Sequence, residues 1–72
     1  MNEREYEQVI AKLGSLREHL RRLEEDDYAT AMYKGYSSDG LTLTEVMAEI
    51  TTVSESVELL EERLASDPEQ YL

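Results

Sequence analysis

The sequence predicts an all-α protein that folds as a two-helix antiparallel hairpin with coiled-coil-like packing. Apolar residues recur at alternating steps of three and four in two long stretches, which is the spacing of a helical heptad seam. A helix-capping signature precedes each stretch, and a short glycine-containing segment joins them. We expect a single domain over residues 1–72, because a chain of this length builds one core at most.

The first helix is predicted over about residues 3–27. Its seam residues are Tyr6, Val9, Leu13, Leu16, Leu20 and Leu23. Asn2 and Glu5 have the spacing of a capping box, and Met1 and Tyr6 occupy the two positions of a hydrophobic staple. These signals place the start of the helix next to Asn2.

Residues 28–41 are predicted to form the joint between the helices. Asp27 takes the next seam position, so coiled-coil packing is expected to stop near it. Residues 28–34 either belong to the joint or extend the first helix to Lys34, with Gly35 as a left-handed C-cap. Asp39 and Gly40 predict a turn.

The second helix is predicted over about residues 43–66, followed by a tail at 67–72. Its seam residues are Leu43, Val46, Ile50, Val53, Val57, Leu60 and Leu64. Thr42 and Glu45 form a second capping box, with Leu41 and Val46 as the staple pair. Pro68 ends the helix, because proline disfavours helical geometry in the residue before it.

A joint this short makes the two helices antiparallel neighbours, and one register then satisfies five layers. The layers are Leu23 with Ile50, Leu20 with Val53, Leu16 with Val57, Leu13 with Leu60, and Val9 with Leu64. Ile10 and Met47 lie beside this seam and Leu59 lies on the outer side of the second helix. A free hairpin buries little apolar surface, so we expect it to dimerise into a four-helix bundle or to dock on a partner.

The composition restricts the classes of partner. Seventeen acidic residues against seven basic ones give a formal net charge of -10. Such a chain is repelled by nucleic acid and by anionic lipid, so we expect a protein partner with a basic surface. The absence of cysteine favours a cytoplasmic location, since small secreted domains are usually stapled by disulfides, and no apolar run has the length of a membrane span.

No residue pattern predicts catalysis, a cofactor or a metal site. His19 is the only histidine, and without cysteine or a second histidine it cannot complete a zinc site. The serines lack the flanking glycines of a nucleophile elbow, and the three glycines form no phosphate-binding loop. We therefore expect a protein that is not an enzyme.

The candidate partner-binding residues are acidic and aromatic. They are Glu45, Glu49, Glu55, Glu58 and Glu62 on the second helix, with Tyr28, Tyr33 and Tyr36 in the joint. Carboxylates three and four residues apart on a helix lie about 5–6 Å from one another, close to the spacing of phosphates on a strand. In size, charge and helicity the chain resembles the small acidic anti-restriction and anti-CRISPR proteins of phages and mobile elements. That resemblance implies an inhibitor that occupies a basic channel of a nucleic-acid-processing protein.

Two other functions are compatible with the sequence. The uninterrupted heptads favour a structural or assembly protein that forms a homodimeric bundle. The stretch Ser54-Glu55-Ser56-Val57-Glu58 also resembles the Ser-Gln-Glu-Leu-Asp signature of the sporulation aspartyl-phosphate phosphatases, which are short acidic helical hairpins. Only Ser54 matches that signature, and Glu58 places a carboxylate one methylene longer at its last position. This resemblance implies a regulator of phospho-transfer.

Overall fold

The computed structural model describes residues 2–66 and shows an all-α helical hairpin. The chain forms α1 (Glu3–Arg22), a π-helical turn (Leu23–Asp27), α2 (Tyr28–Lys34) and α3 (Leu43–Ser66). The first three elements follow one another without a break and form one arm of the hairpin, and α3 forms the other. Residues 28–34 therefore extend the first helix, which was one of the two alternatives. Met1, with its predicted staple to Tyr6, and the tail at 67–72 lie outside the described residues.

Both predicted helix starts carry a side-chain cap. The Oδ1 atom of Asn2 accepts the Glu5 N–H at 2.8 Å, while the Asn2 side-chain amide donates to the Glu5 carboxylate at 3.2 Å. At α3 the exchange is a complete capping box, because Thr42 Oγ1 accepts the Glu45 N–H at 3.2 Å and Glu45 Oε1 accepts the Thr42 N–H at 3.0 Å. These bonds satisfy N–H groups that the first turn of a helix leaves without a backbone acceptor.

The core runs along the predicted seam. Its buried apolar residues are Val9, Leu13, Leu23, Ala31, Val46, Val53 and Val57. Partly buried apolar residues pack against the core cluster, namely Leu16, Leu20, Tyr28, Leu41, Leu43, Ile50, Leu60 and Leu64. Every seam position predicted in α3 is thus buried or partly buried, so the heptad pattern identifies the face that contacts the other arm.

Polar side chains of the two arms meet on both edges of the seam. On one edge Arg17 pairs with Glu61, and on the other His19 Nε2 lies 3.6 Å from Glu49 Oε1. In the heptads of the two arms, Arg17 and Glu61 are both e residues, and His19 and Glu49 are both g residues. Antiparallel helices bring like-lettered edge positions together, so the two pairs agree with the predicted register.

The π-helical turn keeps the seam continuous past Asp27. The Tyr28 N–H donates to the Leu23 carbonyl, a step of five residues that accommodates one residue more than an α-helical turn. Tyr28 therefore follows Leu23 on the seam in place of Asp27, and Ala31, which is 2% exposed, follows Tyr28. Packing thus continues beyond Asp27, whereas the heptad pattern predicted that it would stop there. The wider turn moves a carboxylate away from a position where burial would be costly.

The first arm ends at Gly35, as the sequence predicted. Gly35 has a φ of 93°, and its N–H donates to the Ala31 carbonyl at 2.8 Å. This is a left-handed helix cap, for which glycine is the least strained residue. Tyr36 then pairs with Thr42 in an isolated antiparallel bridge, so the joint closes immediately before α3 begins.

Ser37 organises the loop inside that bridge. Ser37 is only 2% exposed, and its Oγ accepts hydrogen bonds from the backbone N–H groups of Asp39 at 3.3 Å and Leu41 at 3.2 Å. Its backbone N–H donates to the Leu41 carbonyl at 2.7 Å, and its carbonyl accepts the Gly40 N–H at 2.9 Å. The predicted turn at Asp39 and Gly40 is therefore present, and one serine satisfies most of its backbone groups.

Deletion of Asp26 tests the role of the π-helical turn. Removing one residue from this segment lets Tyr28 and Ala31 follow Leu23 at ordinary heptad steps, so the arm becomes a regular α-helix with the same residues on the seam. We expect the variant to unfold in urea with a free energy within about 1 kcal/mol of wild type or above it. Deletion of Ser15 is the control, because it rotates one half of α1 away from the seam and should abolish the cooperative transition. Loss of folding in both deletions would contradict this account.

Substitution of Ser37 by alanine tests the loop. The change leaves two buried or partly buried N–H groups without their side-chain acceptor, so we expect a loss of about 1–3 kcal/mol in the free energy of unfolding. Ser38→Ala is the matched control, since Ser38 is exposed and should change stability by less than about 0.5 kcal/mol. Equal effects of the two substitutions in urea unfolding would show that the Ser37 bonds are not important.

Candidate protein-binding surfaces

Glu45 caps the start of α3. Its carboxylate accepts the Thr42 backbone N–H, and hydrogen bonds from the Thr42 backbone and side chain lower the pKa of Glu45 below its ordinary value of 4.5. A carboxylate held in this way is oriented toward the start of the helix. Of the predicted partner-binding residues, Glu45 is therefore explained by the capping box.

Glu49 joins the two arms. It is half-buried, and its carboxylate lies 3.6 Å from the His19 imidazole across the seam. The pairing gives both side chains a structural explanation. Glu49 is thus separated, in role and in position, from the other acidic residues predicted to bind a partner.

We call the three residues Glu55, Glu58 and Glu62 on α3 the acidic stripe. All three are exposed, and none forms an ion pair with another residue in the part of the chain that the structure describes. They occupy heptad positions b and f, on the side of α3 that faces away from the first arm. With a rise of 1.5 Å per residue, the stripe is roughly 10 Å long.

The outer face of the first arm differs because two of its carboxylates, Glu18 and Glu25, are compensated by Arg21. Arg21 donates to Glu18 at 2.6 Å and 3.0 Å, and to Glu25 at 2.7 Å. The hydrogen bond from Arg21 lowers the pKa of Glu18, and both carboxylates raise the pKa of Arg21. Within the described residues no cation is hydrogen-bonded to the acidic stripe, and α3 carries six carboxylates against one arginine.

The three joint tyrosines do not share one environment. Tyr28 packs against the core cluster and completes the seam, so its position is explained by folding. Tyr33 is 89% exposed, and Tyr36 is 58% exposed. Met32 and Met47 are also exposed, so the closed end of the hairpin carries four large apolar side chains in water. Sequence reasoning identified Tyr33 and Tyr36 as contact residues, and the methionines extend that surface.

A shallow groove between α1 and α3 was not predicted. It has a volume of about 330 Å³ and is lined by Lys12, Leu16, Ser56, Leu59 and Leu60. A second groove of about 270 Å³ shares Lys12 and Leu60 with it and reaches Arg63. Two helices contribute to each groove, so only the register of the hairpin reveals them. The off-seam position of Leu59 was the one signal available in the sequence.

The described surface offers few side chains suited to binding a metal ion. Within residues 2–66 no group of three or more histidine or acidic side chains is arranged to hold a metal ion. Among the described helices, none is long and apolar enough to cross a membrane. His19, the only histidine, lies at the edge of the seam beside Glu49.

Comparisons with protein-family models, with curated proteins and with solved structures find no match for this chain.

The lowered pKa of Glu45 predicts a pH dependence of stability. A depressed carboxyl pKa stabilises the fold above the pKa of the unfolded chain, and this contribution is lost as the pH falls through the folded value. We expect the difference in unfolding free energy between wild type and Glu45→Gln to be constant above about pH 5 and to shrink below 4.5. Urea unfolding of both proteins between pH 3 and pH 7 measures it. A difference that stays unchanged down to pH 3 would contradict the capping role of the ionised carboxylate.

Proposed function

We propose that this chain is a non-enzymatic protein-binding module whose acidic stripe contacts a basic surface of a nucleic-acid-processing protein. The observation that carries the proposal is the contrast among its carboxylates. Glu18, Glu25 and Glu45 each accept a hydrogen bond within the hairpin and Glu49 lies beside His19, while the acidic stripe is exposed and forms no ion pair within the described residues. A rigid helix thus presents three carboxylates at near-phosphate spacing.

The helix restricts which surfaces would fit. The three carboxylates are held at steps of three and four on one continuous helix, so little conformational entropy is lost when they bind. A lysine- or arginine-lined channel that follows a nucleic-acid strand presents cations at comparable intervals. Charge complementarity of this kind accelerates association and makes it sensitive to salt. The proposed role is therefore that of an inhibitor that competes with nucleic acid.

The closed end supports contact with a protein and not with a small ion. Tyr33 and Tyr36 supply amphipathic area with few rotatable bonds, a property typical of interface hot spots. Met32 adds a flexible apolar side chain that adapts to irregular surfaces. Together these residues supply apolar contact area that the acidic stripe lacks.

Charge neutralisation on α3 tests the proposal. A tagged chain is used to capture proteins from lysate of its source cells at low salt, and the captured basic protein is purified for binding measurements. We expect Glu58→Gln with Glu62→Gln to weaken binding about tenfold or more, which corresponds to ~1.4 kcal/mol, because two carboxylates lose their contacts with cations. A duplex or single-stranded oligonucleotide should compete with the wild-type chain for the same protein.

Glu3→Gln with Glu7→Gln is the matched control. This pair has the same spacing of four residues, is exposed, and removes the same two charges from α1. A mimic should lose affinity only with the α3 pair, whereas a merely nonspecific attraction between opposite charges should respond equally to both. Binding that is indifferent to the α3 pair, or that oligonucleotides do not displace, would refute the proposed competition.

A further inference from the structure

A second stripe of heptad spacing runs along α3 beside the groove. Its residues are Thr52, Ser56, Leu59 and Arg63, separated by steps of four, three and four. Leu59 is 66% exposed, although it is the one large apolar side chain of this stripe. The seam toward α1 and this stripe lie on different sides of the same helix, which is the arrangement of a helix with two helical neighbours.

The polar side chains of the stripe are already hydrogen-bonded. Thr52 Oγ1 donates to the Ala48 carbonyl at 3.1 Å, and Ser56 Oγ donates to the Thr52 carbonyl at 3.2 Å. A hydroxyl that is bonded to its own helix loses little when water is excluded from it. Small residues also let a second helix approach closely. The stripe can therefore be covered by another helix, even though Leu59 is its only large apolar residue.

The residues four positions before and four positions after Leu59 carry opposite charges, so they become complementary when two copies are related by a two-fold rotation. Arg63 lies on one side of Leu59 along the helix and Glu55 lies on the other, while Lys12 lines the groove beside Leu59. If two copies of α3 pack antiparallel about a point between Ser56 and Leu59, Arg63 of each copy comes within one helical turn of Glu55 of the other. Leu59 of each copy then faces the small Ser56 of the other.

The core of the described residues is small. Seven apolar side chains are buried there, and the chain has no cysteine with which to form a disulfide. A hairpin with so small a core gains stability when an interface buries further apolar surface.

From these observations we propose that the chain forms a two-fold symmetric homodimer through the face of α3 that carries Thr52, Ser56, Leu59 and Arg63. The occupant of the groove beside Leu59 is a second copy of the same helix. This assignment goes beyond the proposed function and does not depend on it. Glu58 and Glu62 lie outside the interface, whereas Glu55 of the acidic stripe pairs with Arg63 of the second copy, so the dimer leaves Glu58 and Glu62 for a basic partner. It also places the dimer on a different side of α3 from Met47, which lies beside the seam.

Leu59→Glu tests the interface in solution. Sedimentation equilibrium of wild type at 0.15 M salt should give a mass of twice 8.3 kDa, and the variant should give the monomer mass. Its dissociation constant should rise at least about 100-fold, because the apolar contact is removed from both copies and a carboxylate replaces it. Circular dichroism should show unchanged helicity, since Leu59 does not belong to the core.

Met47→Glu is the matched control. It makes the same change at an apolar residue of α3 that is also about half exposed or more, on the opposite edge of the helix. The proposal expects this variant to remain a dimer. A wild-type chain that is monomeric at 100 μM, or a Met47 variant that dissociates while the Leu59 variant does not, would overturn the assigned face.

A charge exchange tests the antiparallel orientation independently of folding. Arg63→Glu and Glu55→Arg should each weaken the dimer about tenfold or more by placing like charges together, and the double variant should recover most of the wild-type affinity. Recovery in the double variant supports the predicted pairing of each residue with the other copy. Additive losses would reject that pairing and with it the two-fold arrangement.

Discussion

The packing of α3 against the first arm is the constraint on which the other features of the hairpin depend. Leu13, Leu23 and Val46 are almost completely removed from water along this seam, and no disulfide supplements it. Burial of these side chains is the main favourable contribution available to so small a chain. The seam also sets the rotation of each helix about its own axis. Which carboxylates point to water is therefore a consequence of the core.

The irregular elements of the backbone maintain this seam. A strictly regular helix would bring Asp27 to the core position after Leu23, and burial of that carboxylate without a partner would be costly. The π-helical turn replaces Asp27 by Tyr28 and continues the packing to Ala31, which in turn accepts the capping hydrogen bond of Gly35. The loop at Ser37 then reverses the chain within a few residues. Local deviations from ideal geometry thus extend the core by two layers.

The seam also determines which charged side chains lie near one another and which remain exposed. Between the arms Glu61 pairs with Arg17 and Glu49 lies beside His19, while Arg21 compensates Glu18 and Glu25 on the outer face of the first arm. The acidic stripe on α3 lacks such compensation within the described residues, and for this reason we propose it as the contact for a basic partner. A net charge of -10 opposes contact between two copies in general. Self-association is consequently favoured only where a cation such as Arg63 lies near the contact.

The amino-acid sequence by itself determined the two helices, their starting caps and the residues of the seam. Heptad spacing and the Thr42–Glu45 signature are local, because they depend on contacts within three or four residues. Only the tertiary structure decided that Tyr28 replaces Asp27 on the seam, that Glu49 pairs with His19, and that Lys12 and Ser56 line one groove. Glu49 with His19, and Lys12 with Ser56, are contacts between residues that are distant in the chain. The exchange of Asp27 for Tyr28 depends on the free-energy cost of burying a charge compared with the cost of an irregular turn. Sequence spacing does not contain that comparison, because it arises only when both arms are packed together.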